Sequence, residues 1–353
     1  MILKKKMIYK SLIFIFTINC LFSDVVWVKY GWEIFEYVTD ARTAALGNSS
    51  IAYNFNTPSG SLINPILSNN SKKISLTHQS RFAGMVNIDL IGFSIQSKNK
   101  NLNFNFLYEG IGEIPDTRSM LLDWGSDGKF GTNDYGEGNG TLDEGERLDT
   151  DKLRYFNQHQ FGIHTSFKHT INNIPIGIGI KVLSYTLDDN YALGVGLDVG
   201  ILRRIKRFNF GLVTRNIPTS GLIWNNGTIE TSSPSVVFGV HHPLELRKLP
   251  LRINSIYSIE ISTTNKHLDS QSSIGPLSID ASSGLEIIIS DKLFFRLGHN
   301  IFNNITGGVG VYWDGFNLDY AFLTSTIVDN LGNNHLISFN IKTEWLKQQI
   351  QKL

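Results

Sequence analysis

Between Asp123 and Asp149 the chain reads DWGSDGKFGTNDYGEGNGTLDEGERLD. Asp123, Asp127, Asp134, Asn139, Asp143 and Glu146 supply hard oxygen donors, and the glycines between them permit tight turns. Calcium takes about six to eight oxygens in a flexible geometry, so this donor set suits calcium better than zinc or copper. The spacing departs from the EF-hand pattern, and Gly/Asp/Asn stretches also turn without a metal. A solvated hydrophilic loop is therefore the competing reading. From residue 111 to 155 there are eleven acids against five Lys/Arg, which marks the whole stretch as an acidic insertion.

Other chemistry is hard to find. The chain has no H-E-x-x-H, no P-loop and no G-x-S-x-G. GVGLDVG (Gly194 to Gly200) superficially resembles a nucleotide loop, but it lies inside an alternating segment with no helix after it, so strand glycines are expected. His159 and His164 fall on opposite faces of one predicted strand and cannot share a metal. His241 and His242 are read as marking a strand end. Lys+Arg total 32 against 31 Asp+Glu, so no nucleic-acid partner is implied. The residues point to no enzyme.

The elements that must carry the acidic stretch are strands. Period-two alternation recurs along the chain: NLNFNFLY sets Leu102, Phe104, Phe106 and Tyr108 against three asparagines. FGIHTSFK and ISFNIKTEW repeat the pattern, the latter with Ile337, Phe339, Ile341 and Trp345 on one face. About fourteen such segments begin near residues 72, 84, 101, 156, 174, 191, 207, 233, 249, 278, 292, 305, 315 and 335. Most are longer than the five or six residues common in soluble strands and match the roughly nine to eleven of a tilted bilayer-crossing strand.

The first residues have a basic start (Lys4, Lys5, Lys6, Lys10), an apolar centre from Ser11 to Phe22 and a small Ser23, as in a cleaved export signal. The lone Cys20 would leave with it. No later segment is apolar enough for a membrane-spanning helix. In hydrocarbon only helices or closed sheets satisfy the backbone, so the expected fold is all-β, a transmembrane antiparallel barrel of about fourteen strands in the bacterial outer membrane. A periplasmic β-sandwich or propeller is the alternative. The expected organisation is a signal peptide over 1–23, a plug over 24–70, a barrel over 71–345 carrying the insertion 111–155, and a tail over 346–353. Within the plug, TDARTAALG predicts a short helix capped by Thr39 or Asp40 and stopped by Gly47. Tyr108, Trp224, Trp313 and Trp345 are placed near strand ends, at the lipid headgroups.

DARTAALG followed by Asn-Pro resembles the N-terminal signature of the PorV/PorQ family of FadL-like outer-membrane barrels. The matching positions are Asp40, Ala41, Arg42, Ala45, Leu46, Gly47, Asn64 and Pro65. LDYAF (Leu318 to Phe322) and LGNNHLISFNI (Leu331 to Ile341) resemble the end of the same family. Two departures stand out: Ile66 replaces the usual alanine after Asn-Pro, and LKQQIQKL follows the terminal aromatic. The resemblance implies an accessory of type IX-like secretion, with secreted proteins or secretion machinery as partners at the extracellular loops. The wider FadL-like fold implies passage of a hydrophobic small molecule. A transporter needs an apolar pocket reaching the lumen, whereas the inward faces read as rich in Asn, Ser and Lys.

Overall fold

A computed structural model describes residues 25–27, 32–36, 39–69, 71–97, 100–246, 250–263, 270–324 and 332–352. The expected signal peptide and Cys20 lie outside these residues, as do parts of the plug and Leu331.

Fourteen antiparallel strands form the wall: β1 (Lys73–Arg81), β2 (Val86–Ser97), β3 (Lys100–Asp116), β4 (Arg154–Ile171), β5 (Ile174–Leu187), β6 (Asn190–Ile205), β7 (Phe208–Arg215), β8 (Ser235–Leu246), β9 (Leu251–Ser262), β10 (Leu277–Ile289), β11 (Leu293–His299), β12 (Ile305–Tyr312), β13 (Phe316–Leu323) and β14 (Asn334–Lys342). Each begins within two residues of its expected start. The sheet closes where β1 pairs with β14, from Lys73 opposite Lys342 to Ser80 opposite His335. Closure leaves no open edge, as a sheet in hydrocarbon requires.

The wall alternates as the sequence demands. Asn103, Asn105, His164, Ser166, Ser338 and Asn340 are buried and face inward, while Phe106, Phe161, Ile163, Tyr257, Leu297 and Ile337 are exposed on the outer face. An apolar outer face on a closed barrel is the pattern of outer-membrane proteins, and the protein is read here as one. One rim carries connections of only two to four residues, such as 172–173, 206–207 and 290–292. The other rim carries the long ones, with 117–153 the longest.

One hairpin is interrupted. After β7 the chain passes a cis Ile217–Pro218 bond and resumes as Ser220–Trp224. That segment pairs with the first half of β6, and with Ile229–Ser232. Proline has no N–H to give the ladder, so a break there is expected.

Three sequence expectations need correction. The insertion is shorter than 111–155: β3 runs on to Asp116 through a bulge between Ile111 and Ile114, and β4 begins at Arg154. The last strand ends at Lys342, and Trp345 belongs to a helix, Thr343–Ile350, packed by its indole on Phe316. Alternation in KTEW is shared by chance with a helix whose side chains fall at other angles. Among the four rim aromatics, Trp313 and Trp345 do lie at the short-turn rim. Tyr108 sits within β3, stacked with His159 and tilted against Phe161, whereas Trp224 does end its strand, Ser220–Trp224, and packs on Tyr185.

Candidate functional site

Residues 39–69 fill the lumen as a string of short helical turns. Asp40 caps the helix Ala41–Ala45 by accepting the Thr43 N–H at 2.8 Å, and Ser59 donates to its other oxygen at 2.5 Å. The helix stops at Gly47, whose φ of 65° is the left-handed conformation glycine favours. Its alanines are small enough to lie on Ala321 and Leu336 of the wall. Ala41 donates its N–H to Ser338 at 2.7 Å, and Thr306 donates to the Ala45 carbonyl at 3.0 Å.

Asn64 caps the turn Pro65–Leu67 and donates to the Ile51 carbonyl at 3.0 Å, which ties two parts of the plug together. Wall glycines make room for this backbone. A Cβ at Gly177 would stand 1.9 Å from the Ile66 nitrogen, and one at Gly211 would stand 2.5 Å from the Ile51 carbonyl. Ile66 itself is buried, so the departure from Asn-Pro-Ala is accommodated. Gly194 and Gly200 belong to β6 and face Trp32 and Asn64, as strand glycines should.

The plug is also held by charge. Arg42 donates from Nε and Nη2 to the two oxygens of Glu286 at 2.8 and 2.7 Å, a fork-to-fork pair. Its other contacts are the hydroxyls of Tyr312 at 2.9 Å and Tyr53 at 3.1 Å, with Phe55 4.3 Å from the guanidinium carbon. Glu286 also accepts from Arg296 Nε at 2.8 Å, and Arg296 reaches Asp319 at 2.7 Å. The Glu286 and Arg296 side chains are fully buried. A buried ion is tolerated best when paired and hydrogen-bonded; Arg42 and Glu286 meet that condition, while Arg296 Nη1 and Asp319 Oδ1 are paired by charge without a hydrogen bond.

Glu286, Arg296 and Asp319 were not singled out from the sequence. The parity of SSGLEIII would have found the first: Ser282, Gly284 and Glu286 share the inward face. A second buried pair, Lys181 with Asp198 at 2.8 Å, is joined by Asn216 at 2.6 Å from the amine. His159 and His164 do lie on opposite faces, outer and inner. His241 is no strand-end residue; it lies inside β8 between Asn209 and Asn254, at 3.0 Å from each.

Above the plug, on the long-loop side, the inner wall changes character. Trp32, Ile34, Phe35, Leu62, Val86, Ile88, Leu90, Leu107, Leu183 and Leu222 form one apolar cluster. A cavity of about 290 Å³ opens over it, its lining divided between apolar residues, Trp32, Val86, Leu183 and Leu222 among them, and polar or charged ones that include Glu33, Arg81, Glu109 and Glu230. The inward faces, read as rich in Asn, Ser and Lys, also carry this apolar cluster in the upper part. The alternation was read correctly on β3 up to Asn105, but Leu107 continues that inward face with an apolar side chain.

The acidic loop is built from self-bonded turns. Asp123 accepts the N–H groups of Gly138, Asn139 and Gly140 at 2.8, 3.2 and 2.7 Å. Asp134 accepts from Ser126 Oγ and the Asp127 N–H at 2.8 and 2.7 Å, and Glu146 accepts the Gly125 and Asp143 N–H groups. Asn139 donates to Asp143 at 2.6 Å. These amides, that of Gly140 foremost for Asp123 and that of Asp127 for Asp134, hold both carboxyls below the usual range. Among the described residues no three His, Cys, Asp or Glu side chains converge on a metal-sized site.

No family model matches the sequence, and no curated relative does. Solved barrels do superpose on it. The toluene transporter TodX of Pseudomonas putida is 11% identical over 86% of this chain and 98% of its own, with a TM-score of 0.49. The monoaromatic hydrocarbon channel CymD is 10% identical over 86% and 96%, at 0.45. Omp33 of Acinetobacter baumannii is 8% identical over 76% and 96%, at 0.36. Superposition at this level carries no inference about cargo; the barrel class rests on the closed sheet and its apolar outer face.

Proposed function

We propose that this barrel binds and passes a hydrophobic small molecule across the outer membrane, entering at the long-loop rim and held back by the plug. The observation that carries this reading is the apolar chamber above the plug. Buried side chains of Trp32, Val86, Leu183 and Leu222 give this cavity an apolar surface beside its charged and polar groups. Apolar, concave and partly preformed sites are where small hydrophobic molecules bind. In outer-membrane barrels the long loops face outward, which makes the chamber an outer mouth. Purified protein in liposomes tests the reading: flux of a labelled hydrocarbon above that of empty liposomes is expected. Equal flux would refute it.

A second reading is an accessory role in protein secretion, as the PorV/PorQ resemblance implies. Two observations favour it. The family-signature residue Arg42 makes the principal charged contact between plug and wall, and the 117–153 loop is bonded throughout, as a docking surface would be. Co-purification of exported proteins with the full chain, lost on deleting 117–153, is the expected result for this role. Recovery that is unchanged by the deletion would remove the loop from it.

A further inference from the structure

The lining of the mouth cavity mixes apolar and charged side chains. Its described lining includes the carboxylates Glu33, Glu109 and Glu230 against a single guanidinium, Arg81. Three aromatic rings, Trp32, Phe82 and Tyr185, line the same space.

Glu109 is the telling group. It is only 8% exposed, and Gln160 donates to its Oε1 at 3.0 Å. Its Oε2 faces Arg81 Nη1 at 3.9 Å, beyond hydrogen-bond length. Oε2 is held only by this long ion pair, so a cation brought by a ligand would add a closer partner. Arg81 is itself turned toward the Phe82 ring, 5.1 Å from its centroid. Aromatic faces beside carboxylates are the chemistry that holds ammonium groups, by cation–π attraction and direct charge.

We propose that the molecule taken up at this mouth is a hydrophobic ammonium, an apolar or aromatic body carrying one positive charge. The charge sits among Glu109, Glu230 and the aromatic rings, and the body lies on Leu183 and Leu222. The inference rests on the reading of the mouth as the place where a small molecule enters. An anionic amphiphile such as a fatty acid is disfavoured by the same carboxylates.

The test uses the full chain in detergent micelles and three probes of similar size: benzyltrimethylammonium, its neutral carbon isostere neopentylbenzene, and phenylacetate. Tryptophan fluorescence reports occupancy, since Trp32 lines the cavity. The cation should bind about tenfold more tightly than the neutral probe. A Glu109→Gln, Glu230→Gln double variant should bring the two within about twofold; the glutamines keep side-chain size, and heat-modifiable gel mobility confirms the fold. Equal binding of cation and isostere, a preference for phenylacetate, or a cation preference that survives in the double variant each overturns the proposal. Flux measured in parallel separates this from the broader reading. Hydrocarbon flux without a cation preference sinks the ammonium inference alone, and a cation preference without flux of any probe sinks transport alone.

Discussion

Replacing Arg42 with alanine should release the plug while leaving the wall folded. The substitution removes four hydrogen bonds: two to Glu286 and one each to Tyr312 and Tyr53. Removing one partner of a buried ion pair costs about 3–5 kcal/mol, because the other charge is left uncompensated. Here Glu286 keeps Arg296, the Tyr53 hydroxyl at 2.7 Å and Asn254 at 3.2 Å, so the lower end applies, about 3 kcal/mol. At roughly 1.4 kcal/mol per decade, that raises the population of plug-open molecules about a hundredfold. Hydrogen exchange of the amides from Thr43 to Asn48 reads this directly, and planar-bilayer conductance reads the opened lumen. Arg42→Lys keeps the charge but not the fork and should fall between. Glu286→Gln should cost more than Arg42→Ala, since it leaves Arg42 without its carboxylate. Unchanged exchange in Arg42→Ala would refute the latch. So would collapse of the whole barrel, because the plug would then be inseparable from the wall.

Other outcomes follow from the same geometry. Gly177→Ala should displace the Asn64–Leu67 turn and lower thermal stability by about 1–3 kcal/mol, because its Cβ would collide with the Ile66 backbone. Gly307→Ala, whose Cβ would find its nearest neighbour at 3.7 Å, should melt like the parent. The loop should loosen in acid. Asp123 and Asp134 titrate below their unfolded value of about 3.9, so their contribution to loop order is complete above that pH and is lost as pH falls through the lower folded values. Pepsin cleavage within 117–153 should therefore rise as the pH falls below about 4, and Asp123→Asn with Asp134→Asn should flatten the rise. Terbium titrated into the full chain tests the calcium reading of Asp123, Asp127, Asp134, Asn139, Asp143 and Glu146. Turns already satisfied by their own N–H groups predict no sensitised emission below millimolar metal; emission at micromolar terbium would show that the loop rearranges around an ion.

The sequence by itself determined the wall. Period-two alternation is a local property, and a one-residue slip would turn Phe104 and Phe106 of β3 inward, so the face of each residue could be read directly. The short helix was legible for the same reason: Asp40, the alanines and Gly47 act on neighbours within one turn. The alternation was misleading where another structure shares it, as in KTEW, where Trp345 falls on a helix. The latch was decided only by the tertiary structure. Arg42 and Glu286 stand 244 positions apart, and nothing near either residue names the other. The mouth was decided in the same way. Glu109, Tyr185 and Trp32 come from two strands and the plug, and they meet only because the sheet closes around the segment that precedes it. Closure is a non-local event. It sets which inward residues share a level of the lumen, and so which charges must pair and which are left facing open space.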